Sequence, residues 1–338
     1  MNDSLLDFKA VNIKLNSCTF LSLRFVVRYK VTGHNRFVGK IRESIDGDVL
    51  LSEPLCNHTT YCVGGDAEVL ICPKNRRSAA WVYNFAKQER IPLVVLGAGS
   101  NVIAPDGGIE GIVLKMKTPE AEIHFIGNGR VQADSGVFLI DLARKAAREG
   151  LCGLENIAGI PGTVGGAIVM NAGTDEIEIS ELLHCIEVLT YAGRRRVFRK
   201  SELAFSYRHS IFRDAGWLIL SAVLKLRSGD PVETIAKIDK ILKEREERLP
   251  YDLPSAGSVF KRPPGDYAGR LIEEAGCKGM GVGGAVVSER HANFIVNKGN
   301  ATSADIIELI SRVRKKVYEK TGVYLDLEQI PLPTRVTS

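Results

Sequence analysis

Two glycine-rich loops constrain this chain more than any other feature. The first, Gly97-Ala98-Gly99-Ser100-Asn101, follows the apolar run Leu93-Val94-Val95-Leu96. The second, Gly159-Ile160-Pro161-Gly162-Thr163-Val164-Gly165-Gly166-Ala167, runs on to Met170-Asn171-Ala172-Gly173. Clustered glycine after an apolar segment marks backbone that turns tightly or lies close to a ligand. The first loop matches half of a dinucleotide fingerprint. Val102 stands where the third glycine belongs, and the turn Pro105-Asp106-Gly107-Gly108 follows in place of a helix. A Rossmann site is therefore disfavoured. The second loop lacks the Gly-Lys-Ser/Thr ending of an NTPase phosphate loop. It does offer bare amides and the Thr163 hydroxyl, which suit a diphosphate. A dinucleotide held between two loops of non-Rossmann type accounts for both. A third glycine group, Gly276 to Gly284, is expected to face a ligand in the C-terminal half.

Composition narrows the rest. Hydrophobic residues make up 45% of the 338 and charged residues 25%, which excludes a mainly disordered chain. The net charge of +5 suits anionic small molecules and does not call for nucleic acid. None of the seven cysteines forms a C-x-x-C pair. No zinc site, other metal centre or disulfide framework is expected, and Cys62 and Cys152 read as core thiols. The N-terminus has no basic region ahead of an apolar run, so it is not a signal peptide. Phe20 to Val27 is far too short for a bilayer span and reads as a strand or an upstream extension. The chain is expected in the cytoplasm, without a membrane partner.

Periodicity places the elements. Strands are expected at Leu93 to Leu96, Gly111 to Met116 and Trp217 to Leu226, with a hairpin of Ile186 to Tyr191 and Arg196 to Arg199 around Ala192-Gly193. Leu139, Leu142, Ala143 and Ala146 share one face of a helix that stops at Gly150. A second helix follows Gly229-Asp230-Pro231, with Ile235, Ile238 and Leu242 inward and a solvated charge run from Lys243 to Arg248. A C-terminal helix starts near Ser303, read as its N-cap, with Ile306, Ile310, Val313 and Val317 as the apolar stripe. The class is α+β, with a boundary near residue 229.

From about residue 49 to 328 the motifs resemble the UDP-N-acetylenolpyruvoylglucosamine reductase (MurB) family. The blocks are Glu53-Pro54-Leu55, His58-Thr59-Thr60-Tyr61, Gly64-Gly65 and both glycine loops. They continue with Ser206-Tyr207-Arg208-His209-Ser210-Ile211-Phe212, Ala256-Gly257-Ser258-Val259-Phe260-Lys261-Arg262-Pro263 and Leu271-Ile272-Glu273-Glu274-Ala275-Gly276. Gly283-Gly284-Ala285, His291-Ala292-Asn293-Phe294-Ile295 and Leu325-Asp326-Leu327-Glu328 complete the set. The resemblance implies a PCMH (vanillyl-alcohol-oxidase-type) FAD-binding domain over residues 49–228, in two subdomains split near 117. A substrate-binding α/β domain over 229–338 follows, and residues 1–48 are an N-terminal extension with a helical lead-in. The short stretch from Phe212 to Ser258 points to the shorter, second subclass. Two departures stand out: Thr174-Asp175-Glu176 replaces Ala-Tyr-Gly after the second loop, and Gln329-Ile330-Pro331 replaces Val-Arg-x after Glu328.

The resemblance also implies roles. The reaction is an NADPH-driven, FAD-dependent reduction of an enolpyruvyl ether on a UDP-sugar, in peptidoglycan precursor synthesis. Negative charge develops as an enolate, so a cation must hold it and an acid must deliver a proton. Arg208 suits the first need, because its guanidinium is planar and always charged. Glu328 polarises the same carboxylate if burial raises its pKa. Ser258 fills the proton-donor position. Gly97, Gly99, Ser100, Asn101, Gly159, Gly162, Thr163, Gly165 and Gly166 are the cofactor-binding residues. Tyr207, Lys261 and Asn293 are the substrate-binding residues, and His291 reads as structural. The enzyme is expected as a monomer or weak oligomer. The alternatives are another flavin oxidoreductase on the same fold, or a flavin-binding module without turnover.

Overall fold

The computed structural model describes residues 37–116 and 121–335. The expectation for Phe20 to Val27, and the extension before residue 37, lie outside the described residues. A short helix, Val38–Ser44, leads into a four-stranded sheet in the order Gly47–Pro54, Asp66–Pro73, Ile109–Lys115, Leu93–Leu96. The first pair is antiparallel, with Val49 opposite Ile71, and the other two are parallel. Parallel neighbours need a crossover. The helix Arg76–Gln88 supplies it, with the Asn75 side chain accepting from the Ser78 amide at its start.

A second sheet is antiparallel throughout: Arg195–Arg199, Leu183–Leu189, Leu218–Lys225, Arg130–Asp134, Ile123–Phe125. The helix Arg76–Gln88 lies against strands of both sheets. Leu189, Leu218 and Leu220 therefore share one core with Ile71, Ile112 and Leu114. The other face of the second sheet buries Leu142, Ala143 and Ala146 of the helix Leu139–Arg148.

The helix Pro231–Arg248 departs from the boundary expected near 229. Asp230 caps it, and Ile238 is fully buried in the same core as Leu142 and Ile157. Packing thus ties it to the N-terminal unit, because the apolar stripe of an amphipathic helix follows the nearest apolar surface. The C-terminal unit has its own core. A three-stranded sheet, Gly281–Val282, Ala285–Val287 and Ile295–Asn297, is covered by the helices Ala268–Glu274 and Ser303–Thr321. Thr302, not Ser303, caps the long helix, in a reciprocal box with Asp305. Ser303 instead donates its hydroxyl to the Ala104 carbonyl, and its amide bonds Asp106, which joins the two units.

The third glycine group is structural. A side chain at Gly283 would meet the Asp305 carboxylate, and one at Gly284 would meet the Gly299 carbonyl. None of the residues from Gly276 to Gly284 lines the main cleft. Cys62 is exposed and Cys152 half-buried, so neither is a core thiol; among the described residues Cys277 is the buried cysteine. Among the described residues no cluster of metal-ligating side chains occurs, and no helix is long and apolar enough to cross a membrane.

Candidate active site

The two glycine loops meet across one large cleft of about 1010 Å³, at the upper end of ligand-pocket sizes. The Ser100 hydroxyl donates to the Pro161 carbonyl at 2.5 Å and links the loops directly. Gly97 faces Thr163 so closely that a Cβ would sit 2.8 Å from the Thr163 hydroxyl. Gly99 has φ +77, and a Cβ there would fall 2.2 Å from the His58 carbonyl oxygen. The Thr60 amide holds the Gly99 carbonyl from the other side at 3.1 Å. This turn accepts glycine because of both its φ and its close approach. Thr163 caps the helix Val164–Met170 by accepting from the Gly166 amide.

Gly97, Gly99, Ser100, Asn101, Gly162, Thr163, Gly165 and Gly166 all line this cleft. Gly159 does not. It packs under Arg245, whose side chain lies where a Cβ would be. Ser135, which sequence reasoning missed, lines the cleft beside Gly165. It is 2% exposed, and its hydroxyl has no hydrogen-bond partner among the described residues. A buried hydroxyl without a partner is costly unless a ligand satisfies it. The signal for it was the turn Ser135-Gly136 after a strand. A dinucleotide with a diphosphate fits this glycine-lined wall, where the Ser135 hydroxyl is left to a ligand.

At the far end the cleft is charged. Arg208 sits at the tip of the hairpin Phe205–Ser206 and His209–Ser210, with φ 55. Left-handed backbone at a non-glycine residue persists where the surroundings over-determine it. Here Asn171, fully buried, donates to the Ser206 carbonyl and to Glu178, which anchors the hairpin to the second loop. The Arg208 Nη2 donates to the Gly173 carbonyl at 3.0 Å, and its Nε donates to Glu328 Oε1 at 2.8 Å. The two side chains are 17% and 16% exposed. Burial pushes the Glu328 carboxyl above the ordinary glutamate value, while Arg208 and Lys261 pull the other way. Ser258 and Glu328 line the same cleft as Arg208.

The three residues named for substrate differ in placement. The Tyr207 hydroxyl accepts from the Arg262 amide at 3.3 Å, and its ring lies 5.0 Å under the Arg208 guanidinium. Lys261 carries its charge near Glu328 but does not line the cleft. Asn293 is 7% exposed, and both ends of its side-chain amide are engaged with Phe260. Its side-chain amide donates to the Phe260 carbonyl, and its oxygen accepts from the Phe260 amide. It holds the backbone after Ser258 and does not face the cleft.

The charge run Lys243 to Arg248 is solvated as expected, with Arg245 alone of the six half-buried. Glu244, Arg245 and Arg248 line the cleft, and Arg245 donates to the Tyr251 hydroxyl at 2.9 Å. Burial, helped by the Arg248 charge, holds the His291 imidazole below its ordinary value. The replaced segment after the second loop also reaches the cleft. Asp175 pairs with Arg262 at 2.6 Å, and Glu176 accepts from Asn156.

A large cleft between an N-terminal unit of two sheets and a C-terminal unit, with amides at one end and an arginine–carboxylate pair at the other, defines a dinucleotide-dependent oxidoreductase. Residues 67–198 match the FAD binding domain family, and residues 249–330 match the C-terminal domain family of UDP-N-acetylenolpyruvoylglucosamine reductase. The UDP-N-acetylenolpyruvoylglucosamine reductase of Moorella thermoacetica is 44% identical over 290 residues, covering 86% of this chain and 95% of that one. The enzyme of the same name from Geobacillus kaustophilus is 44% identical over 281 residues, covering 83% and 92%. The crystal structure of MurB from Thermus caldophilus superposes with a TM-score of 0.70 at 35% identity, covering 86% of this chain and all of that one. The chain belongs to the UDP-N-acetylenolpyruvoylglucosamine reductase family.

Proposed function

We infer that this protein reduces UDP-N-acetylglucosamine enolpyruvate to UDP-N-acetylmuramate, with FAD as cofactor and NADPH as co-substrate. The observation that carries the reading is the Arg208–Glu328 pair, held below one-fifth exposure on the cleft that also takes Ser258. Reduced FAD, when bound, supplies hydride to the terminal alkene carbon. The chain's own residues do the rest. Arg208 grips the substrate carboxylate and holds the charge that develops on it as the enolate forms. Glu328, with its raised pKa, polarises the same carboxylate from beside Arg208. The Ser258 hydroxyl gives its proton to the second carbon, and the positive charges of Arg208 and Lys261 steady the alkoxide left behind. Neither Tyr207 nor Lys261 lines the cleft; they support the pair from beside it, the Tyr207 ring against the Arg208 guanidinium and the Lys261 charge near Glu328.

The domain organisation that goes with this reading is an FAD-binding unit from about 49 and a substrate unit. Packing of the helix Pro231–Arg248 and the family match from 249 favour a boundary near 249 over one near 229. The protein works in the cytoplasm on a soluble nucleotide sugar, as a monomer or weak oligomer, in cell-wall precursor synthesis that cell shape and division depend on.

The test is NADPH oxidation by the flavin-loaded protein with and without UDP-N-acetylglucosamine enolpyruvate. Oxidation that depends on this substrate supports the reading. Flavin that NADPH bleaches but that this substrate never reoxidises favours another oxidoreductase on the same fold.

A further inference from the structure

The residue after Glu328 is buried and polar, and its contacts give it a purpose. Gln329 is 1% exposed, yet every polar atom of its side chain is engaged. Its Nε2 donates to the Ala256 carbonyl at 3.1 Å and to the Gly257 carbonyl at 3.2 Å. Its Oε1 accepts from the Tyr61 hydroxyl at 3.1 Å. Tyr61 is itself fully buried, and Asn297 holds its carbonyl at 3.0 Å. The two carbonyls that Gln329 clamps belong to the residues just before Ser258. Gly257 has φ 72, so the chain there turns sharply into the serine. On the downstream side, the Val259 amide donates to the Asn293 carbonyl and the Glu328 amide donates to the Val259 carbonyl. The strand Ile330–Pro331 that follows Gln329 is in turn fastened to the first glycine loop, since the Ile330 amide donates to the Asn101 carbonyl at 3.0 Å.

One amide side chain therefore ties the turn that aims Ser258 to Tyr61, from a residue directly after Glu328 and directly before the one that holds the first glycine loop. A valine at position 329 makes none of these side-chain bonds. We propose that Gln329, oriented by Tyr61, is a positioning residue for proton delivery: it fixes the Ala256-Gly257 turn so that the Ser258 hydroxyl meets the reacting carbon. This rests on the reading of Ser258 as proton donor. Proton transfer is steeply sensitive to donor placement, so loosening the turn slows protonation and leaves flavin reduction by NADPH alone.

The test separates the half-reactions in the FAD-loaded enzyme. Gln329→Met keeps length and burial without the three bonds, and Tyr61→Phe keeps the packed ring and removes one. For Gln329→Met, bleaching by NADPH is expected within about twofold of the parent, while reoxidation by UDP-N-acetylglucosamine enolpyruvate slows by about 10- to 100-fold. The solvent deuterium isotope effect on reoxidation is expected to rise, which mere destabilisation would not produce. Tyr61→Phe moves the same quantities in the same direction by less, and it answers the question if Gln329→Met does not fold. Parental reoxidation in both variants, or equal loss in both half-reactions, overturns the proposal. Ser258→Ala run alongside separates the two ideas. Parental reoxidation there removes the proton-donor reading itself, whereas slow Ser258→Ala with parental Gln329→Met and Tyr61→Phe removes only the positioning role.

Discussion

The Arg208 Nε donates to Glu328 Oε1 at 2.8 Å across a gap of more than a hundred residues in sequence. The pair brings a strained hairpin tip against the end of the C-terminal unit, at the border of the cleft. Burial raises the Glu328 pKa, and the guanidinium offsets part of that rise.

Arg208→Lys keeps the charge and loses the planar fork. Reoxidation of reduced flavin by substrate is expected to fall by about 100-fold, as for loss of one oxyanion donor. Bleaching by NADPH is expected to persist. Stopped-flow absorbance of the two half-reactions checks this, and equal loss in both counts against a role on substrate.

The raised Glu328 pKa has a pH signature. The protonated form is present below the folded-state pKa and disappears as pH rises through it, and that pKa lies above the ordinary glutamate value. If the acid form polarises substrate, the reoxidation rate falls as pH rises through that region. Glu328→Gln carries a permanent donor and is expected to lose this limb. A pH–rate profile of parent and variant measures it; a limb that survives in the variant belongs to another group.

Gly99→Ala places a methyl group against the His58 carbonyl in left-handed backbone. The strain is about 1–3 kcal/mol. The expected outcome is a lower melting temperature together with loss of bound flavin, read as the ratio of flavin to protein absorbance. Full flavin content in the variant would show that this loop does not border the cofactor.

Asp175 and Arg262 are 67% and 41% exposed, so their pair is screened by solvent. Asp175→Asn is expected to change unfolding free energy by less than about 1 kcal/mol. Denaturant titration checks this. A larger loss would mean that the pair joins the two units energetically as well as geometrically.

Much of the fold was legible because local chemistry repeats. The helix Leu139–Arg148 and the strand Leu93–Leu96 lie where their apolar spacing puts them. The family motifs likewise named Arg208, Ser258 and Glu328 as one constellation. Other features were decided by partners distant in sequence. Gly159 and Asn293 look like ligand residues in a motif, but Arg245 covers the first and Phe260 saturates the second. The run Lys243 to Arg248 is the solvated face that it reads as, but which of its side chains border the cleft, Glu244, Arg245 and Arg248, depends on Ile238 packing the helix into the N-terminal core.

The sequence by itself determined the class of chain and two non-Rossmann glycine loops, because turns and periodic apolar faces depend on near neighbours. Only the tertiary structure decided which glycines face the cleft, that Ser135 awaits a partner, and that Gln329 joins Tyr61 to the turn before Ser258. Those contacts join residues up to 268 apart in the chain. Their energy comes from burying polar atoms in pairs, which no local pattern specifies.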